Sequence, residues 1–196
     1  MKKLLLAMLF ACFTLALTAQ DIRVYYKGAK PTISDFVQAF VTDEQCEEEF
    51  SENPVRAVRR AWEQRSAGLP LDEGVKLTVD ERNGYVLYEY RYEDLIIRME
   101  MCFWNEADGK HKLFAYNNLA TTRNGKPTVT ETCGMTFMRY NNATKKLSYC
   151  APPGFEVDFS AIYTLPRKGK DIIVTKWDEN GNKWERTLKW NGRKFN

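Results

Sequence analysis

The chain holds a single histidine, His111, in 196 residues. A serine or cysteine nucleophile that works through an imidazole base would have to be built on it. No two cysteines have C-x-x-C spacing and none stands near His111 at finger spacing, so no metal site is expected. G-x-S-x-G, H-E-x-x-H, P-loop and G-x-G-x-x-G patterns are missing too, and no cofactor is expected. An excess of either charge is also lacking. There are 29 Lys and Arg against 26 Asp and Glu, too even a balance to draw in nucleic acid or an anionic membrane surface. Beyond the N-terminus no apolar run approaches the roughly 20 residues that span a bilayer. Segments long enough for crossover helices are absent from the C-terminal two thirds, which excludes a parallel sheet there.

What is present begins with "MKKLLLAMLFACFTLALTAQ". Lys2 and Lys3 precede an apolar run from Leu4 to Leu17, and Ala19 is small. This reads as a secretory signal peptide over residues 1–19. The expected location is periplasmic or secreted, with no transmembrane segment after cleavage. The alternative is lipid anchoring through Cys12. Residues 20–196 form one expected domain, helical over about 32–67 and a β-sheet over about 72–195.

Ile33, Phe36, Val37, Phe40 and Val41 recur at helical spacing, with Thr32 or Ser34 as the cap. Asn53-Pro54 starts a second helix, with Val55, Val58, Ala61 and Trp62 as its apolar stripe and Gly68 and Pro70 as its end. The run Asp43, Glu44, Glu47, Glu48, Glu49 and Glu52 lacks calcium-loop spacing and reads as a solvated face. After Leu71 the period becomes two. Strand-like segments such as "YVLYEYRY" and "LIIRMEMCFW" alternate with Asn-Gly, Asp-Gly and Asn-Asn turns. The fold class is therefore α+β. A helical hairpin packs on a meandering antiparallel sheet of about 8–10 strands, curved into a half-barrel or barrel-like shape. In β-strand "LIIRMEMCFW", Leu95, Ile97, Met99, Met101 and Phe103 form the buried face, and Arg98 and Glu100 the wetter one.

"FWNEADGKHKL" and "KWDENGNKWERTL" share one hairpin device: a strand ending in Trp, an acid-amide tip with Gly, and a basic return. His111 fills the slot of Asn182 and Lys183, so it reads as a polar residue leaving a turn. The competing reading is a dyad with Cys102 on the partner strand.

Four cysteines follow the signal: Cys46, Cys102, Cys133 and Cys150. An oxidising compartment favours pairing, and three connectivities are open. A two-residue Asn141-Asn142 turn sets Cys133 opposite Cys150, with Cα atoms about 4.5 Å apart. A three-residue turn matches Met135 with Tyr149 and Phe137 with Leu147, and sends the cysteines to opposite faces. The first register is adopted, giving a Cys133–Cys150 bond, with Cys46–Cys102 as the further pair.

The ending "TLKWNGRKFN", with the "AQ" junction, resembles small uncharacterised exported proteins of Gram-negative bacteria. That resemblance implies export and brings no catalytic residue. The other functional signal is aromatic content. Tyr88, Tyr90, Tyr92, Trp104 and Tyr116 crowd neighbouring strands, where they would stack on a sugar or grip an apolar ligand. The expected function is a non-enzymatic exported binding or cell-envelope module. Its partner would be a small molecule, a glycan or an envelope protein, held on the aromatic-lined face between sheet and helices. The alternatives are a hydrolase acting on envelope or dietary polymer and an interaction protein working through edge strands.

Overall fold

A computed structural model describes residues 21–43, 54–123, 126–128, 134–178, 180 and 182–196. Residues 1–20, which hold the expected signal peptide, the acidic run from Glu44 onward, Cys46 and Cys133 lie outside the described residues. Two helices are described: α1, Ile33–Val41, and α2, Pro54–Ser66. The α1 apolar stripe is buried along its length. Its start is closed by Asp35, whose carboxylate accepts the Thr32 backbone N–H at 2.7 Å. Gly68, at φ +68°, ends α2, and the Leu69 N–H returns to the Gln64 carbonyl at 2.8 Å.

Eleven strands are described: β1 (Ile22–Arg23), β2 (Val75–Asp80), β3 (Tyr85–Tyr92), β4 (Leu95–Asn105), β5 (His111–Arg123), β6 (Lys126–Thr128), β7 (Gly134–Asn141), β8 (Lys146–Cys150), β9 (Ile162–Thr164), β10 (Ile172–Trp177) and β11 (Lys183–Leu188). They form two antiparallel sheets. The larger has eight strands in the order β1-β8-β7-β5-β4-β3-β2, with β6 paired to β5. The smaller has the order β11-β10-β9. The larger sheet is the expected meander, curled into a half-barrel with the helices packed on one of its faces. The last three strands leave the meander and build a layer of their own.

That layer changes what the second face of the larger sheet does. On the helix side Met99, Met101, Phe114, Met138 and Tyr140 pack against α1 and α2. Phe36 lies 5.0 Å from the Tyr140 ring and 5.3 Å from Phe103, and Phe40 lies 4.4 Å from Tyr116. The opposite face, expected to be wet, is covered. Tyr85, Cys102, Trp104, Leu113 and Phe137 pack there against Tyr163, Leu165, Ile172, Val174 and Leu188. The chain end closes this second core. Phe195 is buried among Trp104, Phe137, Phe155 and Trp190, with ring centres 4.7–6.1 Å away.

The expected Asn141-Asn142 turn is also corrected. Asn141 faces Lys146 and the loop is four residues, 142–145. The Asn141 side-chain oxygen accepts the N–H groups of Ala143 and Thr144, and Lys145 adopts φ +59°. Side-chain bonding of Asn to the backbone two residues on selects this longer turn. In the resulting register Cys150 faces Phe137 rather than residue 133, so the geometric case for a Cys133–Cys150 bond is removed. Cys150 is a half-buried free thiol and Cys102 a buried one.

Candidate binding groove

The five aromatics expected to hold a ligand do not surround one opening. Tyr88 is buried and Tyr90 half-buried in the helix-side core, and Tyr116 stacks on Phe40. Tyr92 continues the same face of β3 into solvent. Trp104 is on the other face, where its indole N–H donates to the Lys170 carbonyl at 2.8 Å. The space between sheet and helices, expected to receive the ligand, is filled by Phe36, Phe40 and Trp62. Cross-strand and helix-on-sheet packing accounts for four of the five residues.

An open groove lies elsewhere. It is a groove of about 870 Å³ between the smaller sheet and the segment that precedes it. One face of this sheet carries Tyr163, Leu165, Ile172, Val174 and Leu188 into the second core. Farther along the same face the rows continue as Lys176, Trp184 and Arg186, because side chains two apart on a strand share a face. Lys176 pairs across strands with Trp184, and Val174 with Arg186 and Tyr163. These residues emerge from the core to make the groove floor. Phe155 to Ser160 make the wall.

Two large aromatics in this groove are left in the open, Phe159 at 66% exposure and Trp184 at 51%. Phe159 rests over Gly134, where a Cβ would stand 3.1 Å from its ring. The wall is tied to the floor by an ion pair between Asp158 and Lys176. The Asp158 carboxylate also accepts the Ser160 N–H at 2.9 Å and the Ser160 hydroxyl at 2.6 Å. Lys176 and these Ser160 bonds hold Asp158 down to about 2. The Tyr163 hydroxyl accepts the Asp158 N–H at 2.7 Å.

The smaller sheet is positioned by side chains of the larger one. The Tyr163 carbonyl and the Leu165 N–H are not used in pairing with β10. Asn117 donates its amide to the first. Glu100 accepts the second at 2.8 Å and, through its other oxygen, the Tyr85 hydroxyl at 2.8 Å. A free strand edge is thereby closed. Glu100 is only 3% exposed, and its role as acceptor for an edge N–H explains why a carboxylate is buried there. Arg98 adds a weaker contact at 3.4 Å and lines a cleft of about 270 Å³ between the sheets.

His111 opens β5 as the chain leaves the Asp108-Gly109 turn, opposite Asn141. Asp108 accepts the N–H groups of Lys110 and His111 and lies 2.6 Å from the His111 Nδ1. The second hairpin repeats this with Asp178, which accepts the N–H groups of Asn180 and Asn182 and the Asn182 amide. His111 and Asn182 are thus equivalent. The His111 bond is the largest of the influences that hold Asp108 down to about 2. Ligand atoms of Glu106, Asp108 and His111 fall within 4.8 Å of one another. Arg139 already neutralises Glu106 at 2.8 Å, and the Asp108 oxygens are taken by the turn. A dyad of Cys102 and His111 has no support: Cys102 sits opposite Ala115 inside the second core, where burial pushes its thiol far up.

Phe159, Trp184, Lys176 and Arg186 escape sequence reading. Alternation puts Trp184 and Arg186 on one face, but it does not say where that face leaves the core. Comparison with known proteins finds no matching family model, no similar curated protein and no matching solved structure.

Proposed function

We propose that the protein is an exported, non-enzymatic binding module that takes a glycan in the groove beside β10 and β11. The single observation that carries this is the pair of exposed aromatics, Phe159 and Trp184, on a concave surface that also bears Asp158, Ser160, Lys176 and Arg186. Aromatic faces cover the apolar face of a sugar ring, and the charged and hydroxyl groups beside them meet its hydroxyls. A purely apolar ligand would desolvate these polar side chains and leave Arg186 with no group to answer its charge. Export rests on the basic pair and apolar run at the N-terminus. No helix among the described residues is long and apolar enough to cross a membrane.

The hydrolase reading asks for a carboxyl that keeps a proton to give to a leaving group. Asp158 is held in the opposite direction, as an anion. The edge-strand reading asks for an edge open to pairing. The outer strand β11 carries Lys183, Glu185 and Arg186, the kind of charge that discourages a further strand.

Affinity electrophoresis of the mature protein through gels loaded with soluble polysaccharides tests the proposal. At least one polysaccharide should retard the protein, and W184A should weaken that binding more than about tenfold, roughly 1.4 kcal/mol. Equal retardation of wild type and W184A, or none with any polysaccharide, removes the groove as a glycan site.

A further inference from the structure

We infer that the groove selects acidic glycans, whose carboxylate is received by Arg186. This rests on the glycan reading above and names the class of sugar. Four charged side chains line the groove: Glu156, Asp158, Lys176 and Arg186. Asp158 and Lys176 neutralise one another. Arg186 has no ion-pair partner among the described residues. Its neighbours on β11 do not supply one, since Glu185 is paired with Lys183 at 2.7 Å and belongs to the other face. Arg186 is exposed, and it stands on the floor in the cross-strand row Arg186–Val174–Tyr163.

The spacing fits a sugar acid. Trp184 and Arg186 are two residues apart on one face, about 7 Å along the strand. A pyranose stacked on the indole then has its exocyclic carboxylate on the side of the ring from which the Arg186 side chain extends. Guanidinium presents paired N–H groups that match the two carboxylate oxygens, a geometry lysine does not offer. Glu156, the remaining acid, lies on the wall and is exposed. Its charge disfavours a carboxylate turned toward the wall, so the acid group is directed to the floor and neutral hydroxyls to the wall.

The experiment compares uronate trimers, from pectate and alginate, with neutral galactose and mannose trimers by isothermal titration. Wild type should bind at least one uronate trimer about tenfold or more tighter than any neutral one, with affinity falling as salt rises. R186Q should abolish that preference while keeping the wild-type melting temperature. R186K should restore part of it, and E156Q should strengthen uronate binding. Equal binding of acidic and neutral trimers by wild type, or an undiminished preference in R186Q, overturns the acid selectivity and leaves the glycan reading standing. Failure of every trimer, acidic and neutral, overturns both.

Discussion

Glu100 shows how one side chain settles the relation between two layers. Its carboxylate lies on the face of β4 shared with Cys102 and Trp104, yet it is neither solvated nor part of an open site. It accepts the Tyr85 hydroxyl and the Leu165 N–H. Burial, and after it the negative carboxylate alongside, push the Tyr85 phenol far above its ordinary range. Glu100→Ala leaves a phenol, a guanidinium and a strand-edge N–H without their acceptor. A loss of about 3–5 kcal/mol is expected, the scale for breaking a buried charged cluster. Glu100→Gln keeps one acceptor but turns an amide N–H₂ toward a donor, and should cost about 1–3 kcal/mol. Urea unfolding measures both. A loss under about 1 kcal/mol in Glu100→Ala would show that the smaller sheet does not depend on this tie.

At the scale of elements, the wall segment before β9 is held by contacts that respond to pH. The Asp158 carboxyl is lowered from 3.8 to about 2. A folded value below the unfolded one adds stability above about pH 4, and that stability is lost as the pH falls toward 2. The pair is solvent-exposed, so the effect is small. Melting temperature should fall with pH between 4 and 2 in wild type. In Asp158→Asn that part of the slope should be missing, while the curves run parallel above pH 5. Identical slopes in the two proteins would place the wall's hold in Phe155 and Phe159 packing instead. The hairpin tips obey a related rule. Asp108, Asn141, Asp178 and Asn191 each accept backbone N–H groups two or three residues on, and this bonding decides loop length.

At the scale of the whole molecule, the described residues form three layers: two helices, the half-barrel sheet and the three-stranded sheet. They therefore enclose two cores, and the second is closed by the last residues of the chain. The Phe195 N–H donates to the Pro153 carbonyl at 2.8 Å. A Cβ at Gly154 would stand 2.3 Å from the Phe195 carbonyl oxygen, so the tail and the wall segment meet backbone to backbone. Phe195→Ala removes a ring that four others touch. It should cost about 3–5 kcal/mol, roughly 10 °C in melting temperature for a domain of this size. Thermal unfolding checks this. A shift under about 3 °C would mean that the aromatic cluster collapses over the gap.

The sequence by itself determined the parts of this protein that rest on local physics. Apolar spacing of 3.6 set the α1 stripe from Ile33 to Val41, Asn53-Pro54 marked the α2 start, and alternation marked the strands from Val75 onward. The likeness of the two acid-tipped hairpins placed His111 at the exit from a turn, where β5 begins. Tertiary structure decided the rest. Alternation assigns Glu100, Cys102 and Trp104 to a common face of β4, but a face is dry or wet according to what covers it. The covering layer comes from β9 to β11, whose first residue, Ile162, lies 58 positions beyond Trp104. The Asn141 loop length was decided by a side-chain bond and one left-handed Lys145, which alternation does not encode. The same holds for the groove. Val174 and Lys176 share a face and a pattern, and only the distance to which the second core extends leaves one buried and the other beside an exposed Trp184.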